Sequence, residues 1–227
     1  KTCVGIQSDH QLKAIHIGGP GGGTIPASQT EVPFDYDSLR DLGALMGSAG
    51  ILALDETVCM VDWARYYMNF IRQESCGKCI PCREGANRMY EILDNITRRP
   101  ENGSGHHTLV RFKGVIQLES LAEVMQETAL CGLGKSAANP VLSTLRWFRE
   151  EYEDHIFDRS CKAGVCKELR MFYINVDVCT GCMACAQKCP ANAIVGTKKH
   201  PFFIVEDKCT GCGICYETCK FNAISIF

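Results

Sequence analysis

Apolar side chains change their period twice along the 227-residue chain. Through residues 1–57 they come in short runs, at 14–17 and 51–54. Between these lies the turn-rich stretch Gly18-Gly19-Pro20-Gly21-Gly22-Gly23. Short apolar runs bounded by turn residues predict a small β-containing module. From 58 to 158 the spacing becomes helical. Val61, Ala64, Met68 and Ile71, then Ala86, Met89, Leu93 and Ile96, recur every three or four positions, as one face of a helix does. Two further stripes follow: Leu118, Leu121, Val124 and Met125, then Val141, Leu142, Leu145, Phe148 and Tyr152. Pro140 opens the last, near a first turn where its missing N–H costs little. Four amphipathic helices with short connections predict a four-helix bundle.

Beyond a connector at 159–170 the chain repeats itself. Residues 172–194, FYINVDVCTGCMACAQKCPANAI, align without a gap on 202–224, FFIVEDKCTGCGICYETCKFNAI. Each copy holds a short apolar run, a cysteine loop, a short helix and a return through Asn-Ala-Ile, so 171–227 reads as one pseudo-symmetric domain. The expected class is α+β and multidomain.

Composition narrows the function classes. A 46% hydrophobic and 22% charged content is that of a globular chain, not of a disordered one or a coiled coil. A net charge of -2 offers no basic field, so no nucleic-acid partner is expected. The longest apolar runs, 50–54 and 171–174, fall far short of the ~20 residues of a spanning helix, so no membrane insertion is expected. Lys1-Thr2-Cys3-Val4-Gly5 shows no charged start, apolar segment or cleavage site, and the chain is expected to be part of a longer one.

Sixteen cysteines, grouped in triplets and quartets, argue for metal ligation over disulfides. Cys179-x2-Cys182-x2-Cys185-x3-Cys189-Pro190 is matched by Cys209-x2-Cys212-x2-Cys215-x3-Cys219. This spacing aims three thiolates at one cubane, while the fourth cysteine, expected to open a helix, reaches the other. One [4Fe-4S] cluster would take Cys179, Cys182, Cys185 and Cys219, and another Cys209, Cys212, Cys215 and Cys189. The region resembles a bacterial two-cluster ferredoxin, departing from it in having Lys220 where the first copy has Pro190. Paired zinc knuckles would show two CxxC pairs instead of a triplet, and disulfides in so compact a run would be strained.

A second triplet, Cys76, Cys79 and Cys82, lies in ESCGKCIPCREG between the first two bundle helices. Its best fourth ligand is Cys131, in the turn between the third and fourth helices, because those two connections can share an end of a bundle. Gly77, Gly132 and Gly134 would let backbone N–H groups approach the sulfides and tune the potential.

ESCGKCIPCREG followed by LCGLGKSAANPVLSTLRWF resembles the cluster-binding region of the flavin-carrying, NADH-oxidising subunit of respiratory complex I and its soluble relatives. The upstream KAIHIGGPGGGTIP resembles that family's soluble-ligand-binding β-grasp module. The appended ferredoxin domain is similar to that of the corresponding subunits of NAD(P)-linked [FeFe]-hydrogenases, electron-bifurcating ones among them, and of some formate dehydrogenases. The resemblance implies that FMN and NAD(P) bind only in a part preceding residue 1. It implies as partners a thioredoxin-like [2Fe-2S] subunit, a hydrogenase or formate dehydrogenase catalytic subunit, and ferredoxin. Reduced thiols imply a cytoplasmic setting. No side chain is assigned as acid, base or nucleophile, since the inorganic centres carry the chemistry. The alternative classes are a complex I component, or a binding module with structural clusters, which dithionite would not bleach reversibly.

The remaining groups divide. Cys161-x4-Cys166, with His155 six residues earlier, offers three ligands to a structural zinc at a hinge; the fourth is not identifiable, and the alternative is two free thiols and a surface histidine. Cys3 and Cys59 read as plain buried thiols. His10, His16, His106, His107 and His200 read as structural or solvated. Residues 150–154, EEYED, read as the wet face of the last bundle helix, and Trp63, Tyr67 and Phe70 as core rather than a cofactor box. Gly132-Leu-Gly-Lys135-Ser136 ends like a phosphate-binding loop, but position 129 is alanine and the preceding pattern is helical.

Overall fold

A computed structural model describes residues 6, 9–99 and 105–226, and of 105–107 the backbone alone. The readings of Cys3 and of the His106 and His107 side chains lie outside the described residues.

The glycine-rich turn joins strands β1 (Leu12–Ile17) and β2 (Gly23–Pro26), and β3 (Ile51–Asp55) covers β1's other edge, giving an antiparallel sheet of order β2-β1-β3. The turn must be glycine where it folds back: Gly18 has φ +90°, and a Cβ there would lie 2.0 Å from the Leu45 carbonyl oxygen. Helix α1 (Tyr36–Asp41), whose cap Asp35 accepts from the Ser38 N–H, closes a small core of Ile17, Ile25, Leu39 and Ala44.

The bundle follows as α2 (Met60–Glu74), α3 (Ile80–Thr97), α4 (Gly105–Thr128), the short α5 (Gly132–Ser136) and α6 (Asn139–Trp147). The stripes converge as expected: Val61, Ala64, Met68 and Ile71 pack with Ala86, Met89, Leu93, Ile96, Leu118, Met125, Val141 and Leu145. Val124 departs, standing half exposed on α4's outer face. Leu118 is fully buried, so Leu118→Ala is expected to cost ~2–5 kcal/mol, read as a lower denaturant midpoint at unchanged slope.

The last stripe is not one helix. It breaks at Phe148 and resumes as α7 (Arg149–Glu153), running into a π-turn at Asp154–Asp158. One long-range bond and one local bond accompany the break. Trp147 Nε1 donates to the Leu42 carbonyl at 3.0 Å, and the buried Tyr152 hydroxyl meets Thr144 Oγ1 at 2.8 Å, folding α7 back on α6.

Two other expectations are corrected. The acidic run is wet only in part: Glu151 turns inward, pairing with Lys13 Nζ at 2.7 Å and accepting from the Met60 N–H at 3.0 Å, while Tyr152 is buried. Of the aromatic stripe read as core, Tyr67 is buried and Trp63 packs against buried Ala14, Leu54 and Met60 where the helix meets the sheet, and only Phe70 departs. Tyr67 stacks on buried His16 at 4.5 Å and Trp63 meets the same ring edge-on, while Phe70 is exposed. Burial lowers the His16 pKa, so the ring stays neutral, bonded to Gly19 O and Thr24 Oγ1.

The repeat forms β4 (Phe172–Ile174), α8 (Ala184–Lys188), β5 (Ile194–Val195), β6 (Phe203–Ile204), α9 (Ile214–Thr218) and β7 (Ile224–Ile226). The copies interlock, because β4 pairs with β7 and β5 with β6, each an antiparallel ladder between copies. Cys189 and Cys219 end α8 and α9, where the spacing predicts a fourth cysteine that opens a helix. Among the described residues no helix is long and apolar enough to cross a membrane.

Candidate metal centres

The first cysteine set is assembled from two connections. Cys76 follows α2, Cys79 caps α3, Cys82 lies in α3's first turn and Cys131 precedes α5. The unpaired N–H groups and partial positive charge of α3's N-terminus suit thiolates. The backbone N–H of Leu130 reaches the Cys79 sulfur and is the largest cause of its lowered pKa, so the 130–131 turn lies on the triplet. From α5, a Cβ on Gly134 would come within 3.2 Å of Cys82 Cβ, which seats that helix against the same residue. Ser75 Oγ sits 3.4 Å from Cys82 Sγ, and the intervening turn is braced by Arg83 Nη1 donating to Gly77 O at 2.7 Å. Cys76 and Cys131 face outward between exposed Ile80 and Leu130.

In the C-terminal domain the two cysteine sets separate as the repeat spacing requires. One small pocket is lined by Cys179, Cys182, Cys185 and Cys219. Its twin is lined by Cys209, Cys212, Cys215 and Cys189. The fourth cysteines are held by the Ala193 and Ala223 N–H groups, donating to Cys189 and Cys219 sulfurs at 3.3 and 3.4 Å. Around the sulfurs lie Phe172, Ile174, Ile194, Phe202 and Ile224, an apolar wall that would keep water from a bound cluster.

A fourth set has a different scale. Cys59, His155, Cys161 and Cys166 are all buried, with ligand atoms within 4.8 Å of one another. Cys59 Sγ lies 3.9 Å from Cys166 Sγ and 3.3 Å from His155 Nε2, which is 3.4 Å from Cys166 Sγ. Bond lengths of ~2.3 Å to sulfur and ~2.0 Å to nitrogen around a tetrahedral zinc would set these edges near ~3.8 and ~3.6 Å. The fit is within a few tenths of an ångström. His155 Nδ1 donates to Glu151 O at 2.6 Å, which fixes the tautomer and leaves the Nε2 lone pair for the site.

Without an ion these groups compete for protons. Hydrogen bonds from Cys166 and Cys59 drive the Cys161 thiol down, and the same pairing drives Cys166 up. Burial works to lower the His155 pKa, but hydrogen bonds to the Cys161 and Cys59 sulfurs outweigh it and carry it up to about 10. A bound divalent cation would relieve that competition.

Cys59 is buried, as read from the sequence, but it stands beside His155 and the connector cysteines, and His155 is not on the surface. No local spacing signals Cys59, which stands 96 residues before His155. Among the described residues the only other such group is His10, Asp55 and Glu56, where His10 pairs with Asp55 at 3.3 Å and carboxylate exposure is greater. The three all-cysteine sets do not crowd in this way, as suits a cubane, whose ligands attach to separate irons. The 132–136 stretch is the helix α5, preceded by a helix instead of the strand that a phosphate-binding loop needs.

Comparison with known proteins matches residues 62–155 to the NADH-ubiquinone oxidoreductase-F iron-sulfur binding region and residues 172–226 to the 4Fe-4S dicluster domain. The HndC subunit of the NADP-reducing hydrogenase of Solidesulfovibrio fructosivorans is 43% identical over 197 residues, which cover 87% of this chain and 38% of that protein. A subunit of the NADH-quinone oxidoreductase of Streptomyces coelicolor is 36% identical over 69% of this chain and 33% of its own. The chain thus spans under two fifths of these relatives. A crystal structure of an NAD+-reducing [NiFe]-hydrogenase in the H2-reduced state superposes with a TM-score of 0.53 at 25% identity, covering 64% of this chain and 23% of that one.

Proposed function

Because residues 62–155 belong to the NADH-ubiquinone oxidoreductase-F iron-sulfur binding region and residues 172–226 to the 4Fe-4S dicluster domain, we propose that this electron-transfer module carries three [4Fe-4S] clusters and one zinc. The ligands would be Cys76, Cys79, Cys82 and Cys131; Cys179, Cys182, Cys185 and Cys219; and Cys209, Cys212, Cys215 and Cys189. Zinc would sit on Cys59, His155, Cys161 and Cys166, tying the bundle to the connector. The observation that carries this reading is the pair of cavities, each lined by three cysteines of one repeat and the fourth of the other.

When bound, a [4Fe-4S] cluster supplies one-electron redox chemistry. The chain's own residues provide thiolates, N–H donors and a dry wall. The similarity to a protein named as part of an NADP-reducing hydrogenase favours a hydrogenase-type complex, with FMN and NAD(P) in a preceding part and an NAD-linked formate dehydrogenase or complex I as the alternatives. The partners would be a thioredoxin-like [2Fe-2S] subunit, the catalytic subunit and ferredoxin, in the cytoplasm. In such an assembly electrons would move singly between flavin and ferredoxin or partner subunits.

Iron, acid-labile sulfide and zinc on anaerobically purified protein test the reading, with about twelve, about twelve and one per chain expected. About eight irons with intact protein would remove the first cluster from it.

Ser75 offers a finer check. Its hydroxyl can donate to the Cys82 sulfur, which favours the more negative, reduced state. One such bond is worth ~0.5–1.5 kcal/mol. At 59 mV per tenfold for one electron, Ser75→Ala should lower the first cluster's potential by ~20–60 mV in a redox titration followed by electron paramagnetic resonance.

A further inference from the structure

The two halves of the C-terminal domain match in sequence, yet their surroundings differ. Gly181 and Gly211 hold equivalent places in the two cysteine loops, with φ +67° and +70°. A Cβ on Gly181 would strike the backbone of His200, within the same domain. On Gly211 it would meet the carbonyl oxygens of Lys167, Arg170 and Glu168 at 3.0, 3.4 and 3.5 Å, so only the second loop is seated on the connector. That seat, the turn Lys167–Leu169, starts directly after Cys166.

Arg99, just past the end of α3, completes the contact. Its Nη1 donates to the carbonyl of Cys209 and its Nη2 to that of Glu206, while its own N–H donates to Glu168 Oε2 at 3.1 Å. Buried Arg111 in α4 donates to the Arg98 carbonyl and so sets the direction in which the chain leaves α3. The matching carbonyls in the first copy belong to Cys179 and Val176, and among the described residues no guanidinium reaches them. A guanidinium is a rigid, permanently charged fork, suited to gripping two carbonyls at once.

We propose that Arg99 is a positioning residue that clamps the second cysteine loop, 209–215, against the connector, and that it sets apart the potentials of two otherwise matching ferredoxin centres. The inference rests on the ligand sets proposed above. A fixed cation on the carbonyl of Cys209 favours the extra negative charge of the reduced state, so the centre on Cys209, Cys212, Cys215 and Cys189 gains potential relative to its twin. The same crevice holds Asp158, Glu168, Glu206 and Asp207 and also Arg159 and Arg170, which offset one another in part, but of these cations only Arg99 grips the loop's carbonyls.

The clamp also decides where the domain stands. The first cysteine triplet lies at the start of α3 and Arg99 past its end, and the helix's 18 residues span ~27 Å at 1.5 Å per residue. The gripped loop is thus held at the end of α3 remote from Cys79 and Cys82.

The test uses the whole chain as Arg99→Ala and Arg99→Lys beside the wild type. Iron per chain comes first: clearly fewer than about eight irons in the wild type would overturn the ferredoxin-pair reading itself, whatever Arg99 does, whereas about eight would cost only the first cluster and leave this test in place. With iron intact, redox titration of Arg99→Ala should show one ferredoxin midpoint falling by a three- to tenfold change in its reduction equilibrium, ~30–60 mV at 59 mV per decade, and the other unmoved. Protease cutting within 159–170 should speed up several-fold in the same variant. Arg99→Lys keeps the charge but not the fork, so it should retain most of the midpoint and still loosen the connector; it also carries the test if Arg99→Ala does not fold. Unchanged midpoints and unchanged cutting in a folded variant would overturn the proposal, as would equal shifts of both midpoints.

Discussion

Cys59→Ala is expected to lower zinc from about one per chain to near zero while leaving about twelve irons in place. The four candidate ligand atoms are buried and lie within 4.8 Å of one another, and Cys59 at the start of α2 is the one most remote in sequence from the connector. Its loss leaves three ligands, two of them thiols that need a cation to stay deprotonated in a dry site. Structural zinc contributes ~10–16 kcal/mol of apparent binding energy to small metal-folded peptides. In a bundle with its own core only part of that is at stake. A loss of ~3–5 kcal/mol would lower the melting temperature by ~6–20 °C at 2–4 °C per kcal/mol. Metal analysis and a calorimetric melt of the same preparation read both effects. Because thiols and imidazole must shed protons to bind metal, zinc in the wild type should also leave as pH falls. Full zinc in the variant would mean that the ion sits elsewhere.

What was legible in the sequence was whatever local spacing carries. The CxxCxxC triplets and the gapless repeat specify which cysteines line which cavity, since the interlocking of copies follows from the repeat itself. Helical stripes mark the bundle core because burial of one face needs a period and nothing else. Contacts made across long separations were not legible. Cys59, just before α2, meets His155 across 96 residues, and no motif links them. The break at Phe148 goes with Trp147 reaching Leu42 O, 105 residues away. Glu151 looked wet because its run is acidic, but Lys13 and the Met60 N–H await it at the base of the sheet. The helical spacing of Trp63 and Tyr67 marked them as core, but not that their partner would be His16 of the sheet, 47 residues or more before them.

Cys131→Ala is the substitution expected to affect electron flow most, because it should remove the first cluster alone. Cys131 is exposed, so truncating its side chain disturbs little packing, and a loss of iron would report ligation instead of misfolding. Two contacts bring it to the triplet: the Leu130 N–H on the Cys79 sulfur, and Gly134 against Cys82. The C-terminal domain has a separate apolar core and should keep both of its clusters. Iron should therefore fall from about twelve to about eight per chain, with the two ferredoxin midpoints unmoved and the first cluster's signal gone. Cys76→Ala, at the exposed cysteine that follows α2, should give the same count. If Cys131→Ala keeps about twelve irons while Cys76→Ala loses four, another group holds the fourth iron, and the turn before α5 supplies hydrogen bonds and no ligand. If both lose four, the two loops act as one site, and the distance from Cys82 to Cys131 along the chain is bridged by the bundle that folds between them.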